Sequence, residues 1–105
     1  MKLKTLVVGL SLVITSNTAF ALESWVGTVI LIEPTYLPSS IAFQMDSGNT
    51  TCPAGKWLQW SNPDQANNKA VYATLLTAFT TGKKVRFHIN DGDTTCTGQY
   101  FHILN

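Results

Sequence analysis

The stretch SNPDQANNKAVYATLLTAFTTGKKVRFHIN, Ser61–Asn90, changes its hydrophobic period partway along, and that change decides the fold class. Val71, Leu75, Ala78 and Phe79 recur at helical spacing, and Tyr72 and Leu76 widen the apolar stripe. Asn62 before Pro63 and Asp64 offers an N-cap with proline at the first helical position, while Asn67 or Asn68 offers a later start. Gly82 stands where a left-handed cap ends a helix, and Lys83 and Lys84 complement the negative end of its dipole. From there the period is two. Val85, Phe87 and Ile89 face inward, and Lys84, Arg86, His88 and Asn90 face outward.

Strand patterns surround this helix on both sides. Upstream, SWVGTVILIEP is rich in β-branched residues and stops at Pro34, IAFQMDSG alternates Ile41, Phe43 and Met45 against Ala42, Gln44 and Asp46, and KWLQW forms a short third strand. Downstream, NDGD is a turn and QYFHILN is the last strand, with Phe101 and Ile103 toward the core. The order β-β-β-α-β-β predicts a mainly β fold with one helix, a five-stranded OB-fold barrel. A flat antiparallel sheet carrying the helix on one face is the alternative.

The beginning of the chain has a different role. Lys2 and Lys4 precede the apolar run LVVGLSLVI, which is too short to span a bilayer, and small residues Ala19 and Ala21 follow. This predicts a signal peptide over residues 1–21, cut before Leu22, and an exported chain, periplasmic or secreted. The remaining 84 residues, 22–105, make one small domain that needs a staple. They hold five cations and six carboxylates, a net charge of −1. A balance this close to zero argues against nucleic acid and anionic membrane surfaces as partners, since both are held chiefly by clustered positive charge. No later stretch is a candidate for membrane insertion.

Cys52 and Cys96 are the two cysteines, and in an oxidising compartment they are expected to pair. A zinc site drawing both cysteines together with His88 and His102 lacks the short ligand spacing such sites use. His88 and His102 could meet across the last hairpin, but no carboxylate is placed with them.

Catalysis finds no support. The chain has no nucleophile elbow, zinc-protease motif, P-loop or dinucleotide fingerprint, and TTGKK follows a helix where a P-loop precedes one. The expectation is a binding module with no enzymatic activity and no cofactor. Trp25, Tyr36, Trp57, Trp60 and Tyr100 provide rings suited either to the core or to stacking on sugars. From these, Tyr36 and Trp60 are candidate contacts, joined by Arg86 and His88 on the outer strand face. Between Ala70 and Gly82 no residue is charged, and Ala73, Thr74, Thr77 and Thr81 make a small, neutral helix face suited to packing against copies of the chain.

WVGTVI, a connector cysteine, NKAVYATLLTAFTTGKKVRFHI and a late cysteine after a turn together resemble the receptor-binding B subunits of AB5 toxins of the subtilase-cytotoxin and pertussis-like type, and related small exported Gram-negative proteins. The resemblance spans most of Trp25 to Tyr100. It implies an OB-fold, a homopentamer with helices facing a pore, recognition of a host glycan or protein surface, and assembly with a toxin A subunit. Sialic-acid-binding members place a serine directly before the first-strand glycine. Here Val26 stands before Gly27, so no sugar contact is carried over.

Overall fold

A computed structural model describes residues 21–105. The expected signal peptide falls on residues outside that range, apart from Ala21. The described elements are β1 (Leu22–Gly27), β2 (Val29–Glu33), β3 (Ile41–Met45), β4 (Leu58–Trp60), α1 (Gln65–Thr81), β5 (Val85–Asn90) and β6 (Gly98–Ile103). The fold is mainly β with one helix and one disulfide. Its strands form two three-stranded antiparallel sheets, ordered β1-β5-β6 and β2-β3-β4.

The expected first strand is thus two strands, and in place of one five-stranded barrel the described strands form two three-stranded sheets with no closed barrel. The physical reason lies at Thr28. Its N–H and hydroxyl both bond the Asp46 carboxylate, at 2.8 Å each, which removes that residue from a ladder. A bulge between Val29 and Leu31 then turns the chain from one sheet into the other. At the opposite side, β4 is three residues long, and one isolated parallel bridge joins its Gln59 to Thr97, the residue just before β6.

Period-two patterning places the core as the sequence predicts. Ile41, Phe43, Met45, Val85, Phe87 and Ile89 are all buried. Phe87 sits at the centre, edge-on to Trp25 at 5.5 Å, to Phe43 at 5.1 Å and to Phe101 at 6.5 Å between ring centroids. Phe43 belongs to the other sheet, so this cluster joins the two layers. Edge-to-face pairs of this kind add about 0.5–1.5 kcal/mol each beyond burial.

The helix start differs from both expected starts. Asp64 is the N-cap, its Oδ1 accepting the Ala66 N–H at 3.0 Å, and Pro63 lies before it. Asn62 is held elsewhere: its side chain accepts the Asp64 N–H, and its own N–H donates to Asn68 Oδ1, both at 2.8 Å. The stop is as expected, with Gly82 at φ 71° and its N–H on the Ala78 carbonyl at 2.9 Å. Leu75 and Ala78 are buried, Val71 and Tyr72 are half-buried, and Phe79 is exposed, so the stripe is narrower than its spacing suggests.

Gly98 opens β6 where the two sheets approach. A Cβ there would stand 2.4 Å from Phe87 Cε1 and 2.7 Å from Trp60 Cε3, with both rings already buried. Gly98→Ala is expected to destabilise the fold by about 1–3 kcal/mol, the ordinary cost of overpacking a core. Urea unfolding followed by tryptophan fluorescence measures it, and an unchanged midpoint would contradict the packing described.

Candidate functional site

β4 and β6 are edge strands of different sheets, and the seam between them is closed at one end. There Gln59 donates its N–H to the Cys96 carbonyl at 3.0 Å and its Nε2 to Thr97 Oγ1 at 2.8 Å. Past that point no ladder joins the strands, and α1 flanks the gap. A cleft of about 370 Å³ results, lined by Trp60, Asn62, Asn67, Val71, Thr74, Gln99, Tyr100, Phe101 and His102. The volume falls in the usual range of small-ligand sites, about 300–1,000 Å³. A neighbouring hollow of about 350 Å³ shares Asn62 and is otherwise lined by Ser39, Ser61, Pro63 and Gln65.

Each lining residue is positioned by its local structure. Trp60 ends β4 with most of its ring buried, and its Nε1 donates to Asn67 Oδ1 at 2.9 Å. Asn67, Val71 and Thr74 follow one another at helical spacing on one flank of α1. Gln99 is the extra residue of a bulge, since His88 pairs with Tyr100 and Ile89 with Gly98. A bulge re-aims a side chain, and Gln99 lines the cleft. No lysine, arginine or carboxylate lines either hollow.

Tyr100 and His102 also belong to the outer face of the β1-β5-β6 sheet. Ser24, His88 and Tyr100 form one cross-strand row, and Val26, Arg86 and His102 the next. The His88 ring lies 4.9 Å from the His102 ring and 5.9 Å from that of Tyr100, edge-on to both. Its Nε2 is shut from water and has no hydrogen-bond partner among the described residues. Burial, then the charges of His102 and Arg86, hold the His88 imidazole below its ordinary pKa of 6.5.

That shift makes stability depend on pH in one direction. The unfolded chain takes up a proton at His88 before the folded one does, so stability is complete above about 6.5 and falls as the pH drops through the lowered value. Urea midpoints measured from pH 8 to pH 5 are expected to fall, and His88→Gln is expected to flatten the fall. An equal decline in the variant would remove His88 as its source.

The structure brings together only part of the expected site. Trp60 lines the cleft, whereas Arg86 and His88 do not line it and lie one strand away, opposite His102 and Tyr100. Tyr36 is 63% exposed in the β2–β3 loop and lines neither hollow. Ala73, Thr77 and Thr81 are exposed on α1 as expected, but Thr74 is half-buried in the cleft, because it continues the flank of Asn67 and Val71. The Thr77 hydroxyl donates to the Ala73 carbonyl at 2.9 Å and that of Thr81 to the Thr77 carbonyl at 2.7 Å, leaving methyl groups outward. Asn62 and Asn67 escape sequence reasoning because a neutral amide near a helix start first reads as capping, and Gln99 because the bulge that re-aims it breaks the period of its strand. No family model, curated protein or solved structure matches the chain.

Proposed function

We propose that the chain is an exported, non-enzymatic glycan-binding module of OB type that assembles with copies of itself, as toxin B subunits do. The observation that carries the binding reading is the cleft between α1 and β6, where the rings of Trp60, Tyr100 and Phe101 are combined with uncharged amides. Sugars are recognised by such pairings, a flat apolar surface for the ring face and fixed polar groups for the hydroxyls. Export is supported by the pattern of residues 1–21 and by the disulfide, which belongs to oxidising compartments.

The OB reading is supported by the order of neighbours. β1 and β2 are consecutive through Thr28 and pair with β5 and β3 respectively, while β4 bridges in parallel to Thr97 where β6 begins. A bent first strand shared by two halves of a partly open Greek-key barrel has this arrangement. Self-assembly is supported by α1, whose outward surface carries Ala73, Thr77 and Thr81 with their polar groups satisfied, beside exposed Leu76 and Phe79. Light scattering after size exclusion, followed by a glycan array, tests the whole. A monomer that binds no sugar would end this reading.

A second reading has its own observation. Val26, 37% exposed, and Tyr100, 55% exposed, flank His88 and Arg86 on the outer sheet face, where His88 Nε2 lacks a partner. Such a face suits a protein partner, which the chain would inhibit or chaperone as a monomer without binding sugar. A pull-down yielding one dominant protein, lost in Arg86→Ala, together with a blank glycan array, would favour it.

A further inference from the structure

Within the glycan-binding reading, on which this rests, we infer that the cleft takes an uncharged N-acetylated hexose, with Asn67 Nδ2 donating to the acetamido oxygen. The orientation of the Asn67 amide is settled by chemistry. Trp60 Nε1 can only donate, so the atom 2.9 Å from it is the Asn67 oxygen, and the amino group is the end left over. Asn62 repeats the pattern, because its Oδ1 accepts the Asp64 N–H at 2.8 Å. Neither Nδ2 has a partner among the described residues. Two amides in one cleft therefore have their acceptors occupied and their donors free.

A ligand for such a surface must bring acceptors. An anionic sugar does so, but its carboxylate would leave water for a cleft whose lining has no lysine or arginine, and an uncompensated charge is costly to desolvate. An acetamido group brings a strong neutral acceptor together with a methyl. The carbonyl meets the Asn67 donor, and the methyl lies against half-buried Val71 and Phe101. Tyr100, 55% exposed at the rim, offers its ring to the sugar face. Glucose and galactose lack this arm, and sialylated sugars add a carboxylate that no lysine or arginine of the lining meets.

The test titrates the purified protein with glucose, N-acetylglucosamine, galactose, N-acetylgalactosamine and sialyllactose, following tryptophan fluorescence and the Asn67 side-chain amide resonance. An N-acetylated sugar is expected to bind roughly tenfold tighter than its parent hexose and to shift that resonance. Asn67→Asp keeps an oxygen for the Trp60 indole but replaces the free donor with an acceptor, so it is expected to lose binding by roughly tenfold or more with unchanged near-ultraviolet circular dichroism. Tyr100→Ala, a change at an exposed position, is expected to weaken binding comparably and serves if Asn67→Asp fails to fold. Equal binding of parent and N-acetylated sugars, preference for sialyllactose, or full affinity in a folded Asn67→Asp would overturn the inference while leaving glycan binding in place. Binding of no sugar on the array would overturn both.

Discussion

Asn68→Asp is expected to cost about 3–5 kcal/mol, the range for a buried charge left without a partner. Asn68 is fully buried on the first turn of α1, the one polar residue in that class among the described positions. Its Nδ2 donates to the carbonyls of Pro38 at 2.8 Å, Ser39 at 3.1 Å and Asn62 at 2.9 Å, and its Oδ1 accepts the Asn62 N–H at 2.8 Å. One side chain thereby ties the β2–β3 loop and the β4–α1 turn to the helix. The carboxylate of the variant would place negative oxygen among three carbonyl oxygens. Since small domains have only about 5–15 kcal/mol of total stability, a large fraction of the variant should lose cooperative folding. Urea unfolding at pH 7 and at pH 4 checks this, because protonation restores one donor and should recover part of the loss. Asn68→Leu tests the same hub without charge and is expected to remain destabilised, as its carbonyl partners lose their donors.

Removal of the disulfide has the second large effect. Cys52 and Cys96 are joined across 44 positions with their Cα atoms 6.1 Å apart, and both are buried. In the chain-entropy account a loop of that length corresponds to about 4 kcal/mol. The bridge connects the β3–β4 connector of one sheet to the β5–β6 turn of the other, beside the Gln59–Thr97 contact that closes the seam. Cys52→Ser with Cys96→Ser is therefore expected to lower the urea midpoint by most of that amount and to loosen the cleft along with the fold. Because both sulfurs are inaccessible, reductant alone should act slowly on the native protein and quickly in moderate urea. Rapid reduction without denaturant would contradict the burial.

Legibility followed the range of the signal. The parity of β3 and β5 was readable because a strand with one buried face must alternate, and Ile41, Phe43, Met45, Val85, Phe87 and Ile89 do so. Gly82 was readable because few residues accept a left-handed cap. The helix start was not, because Asn62, Asp64, Asn67 and Asn68 are all competent caps. The choice among them was made by distant partners: Trp60 holds the Asn67 side chain, and Pro38 and Ser39 hold that of Asn68, leaving Asp64 to cap. The outer strand face was half legible. Arg86 and His88 do point outward, but the rings of Tyr100 and His102 leave His88 only partly solvated.

What the sequence alone determined is what neighbours along the chain can encode: a β-rich pattern around one helix, the inward residues of each strand, the helix stop and the two cysteines available to pair. What the tertiary structure decided is the division into two sheets and the cleft at their seam. Periodicity reports which face of an element avoids water, and it carries no information on which edges of different elements come together. Trp60, Asn67 and Tyr100 share a site because β4 meets the residue entering β6 at one bridge and the two strands then part, with α1 lying beside the gap. That meeting is a property of the packed chain, produced when the Phe43, Phe87 and Trp25 rings interlock and the disulfide fixes the closed end.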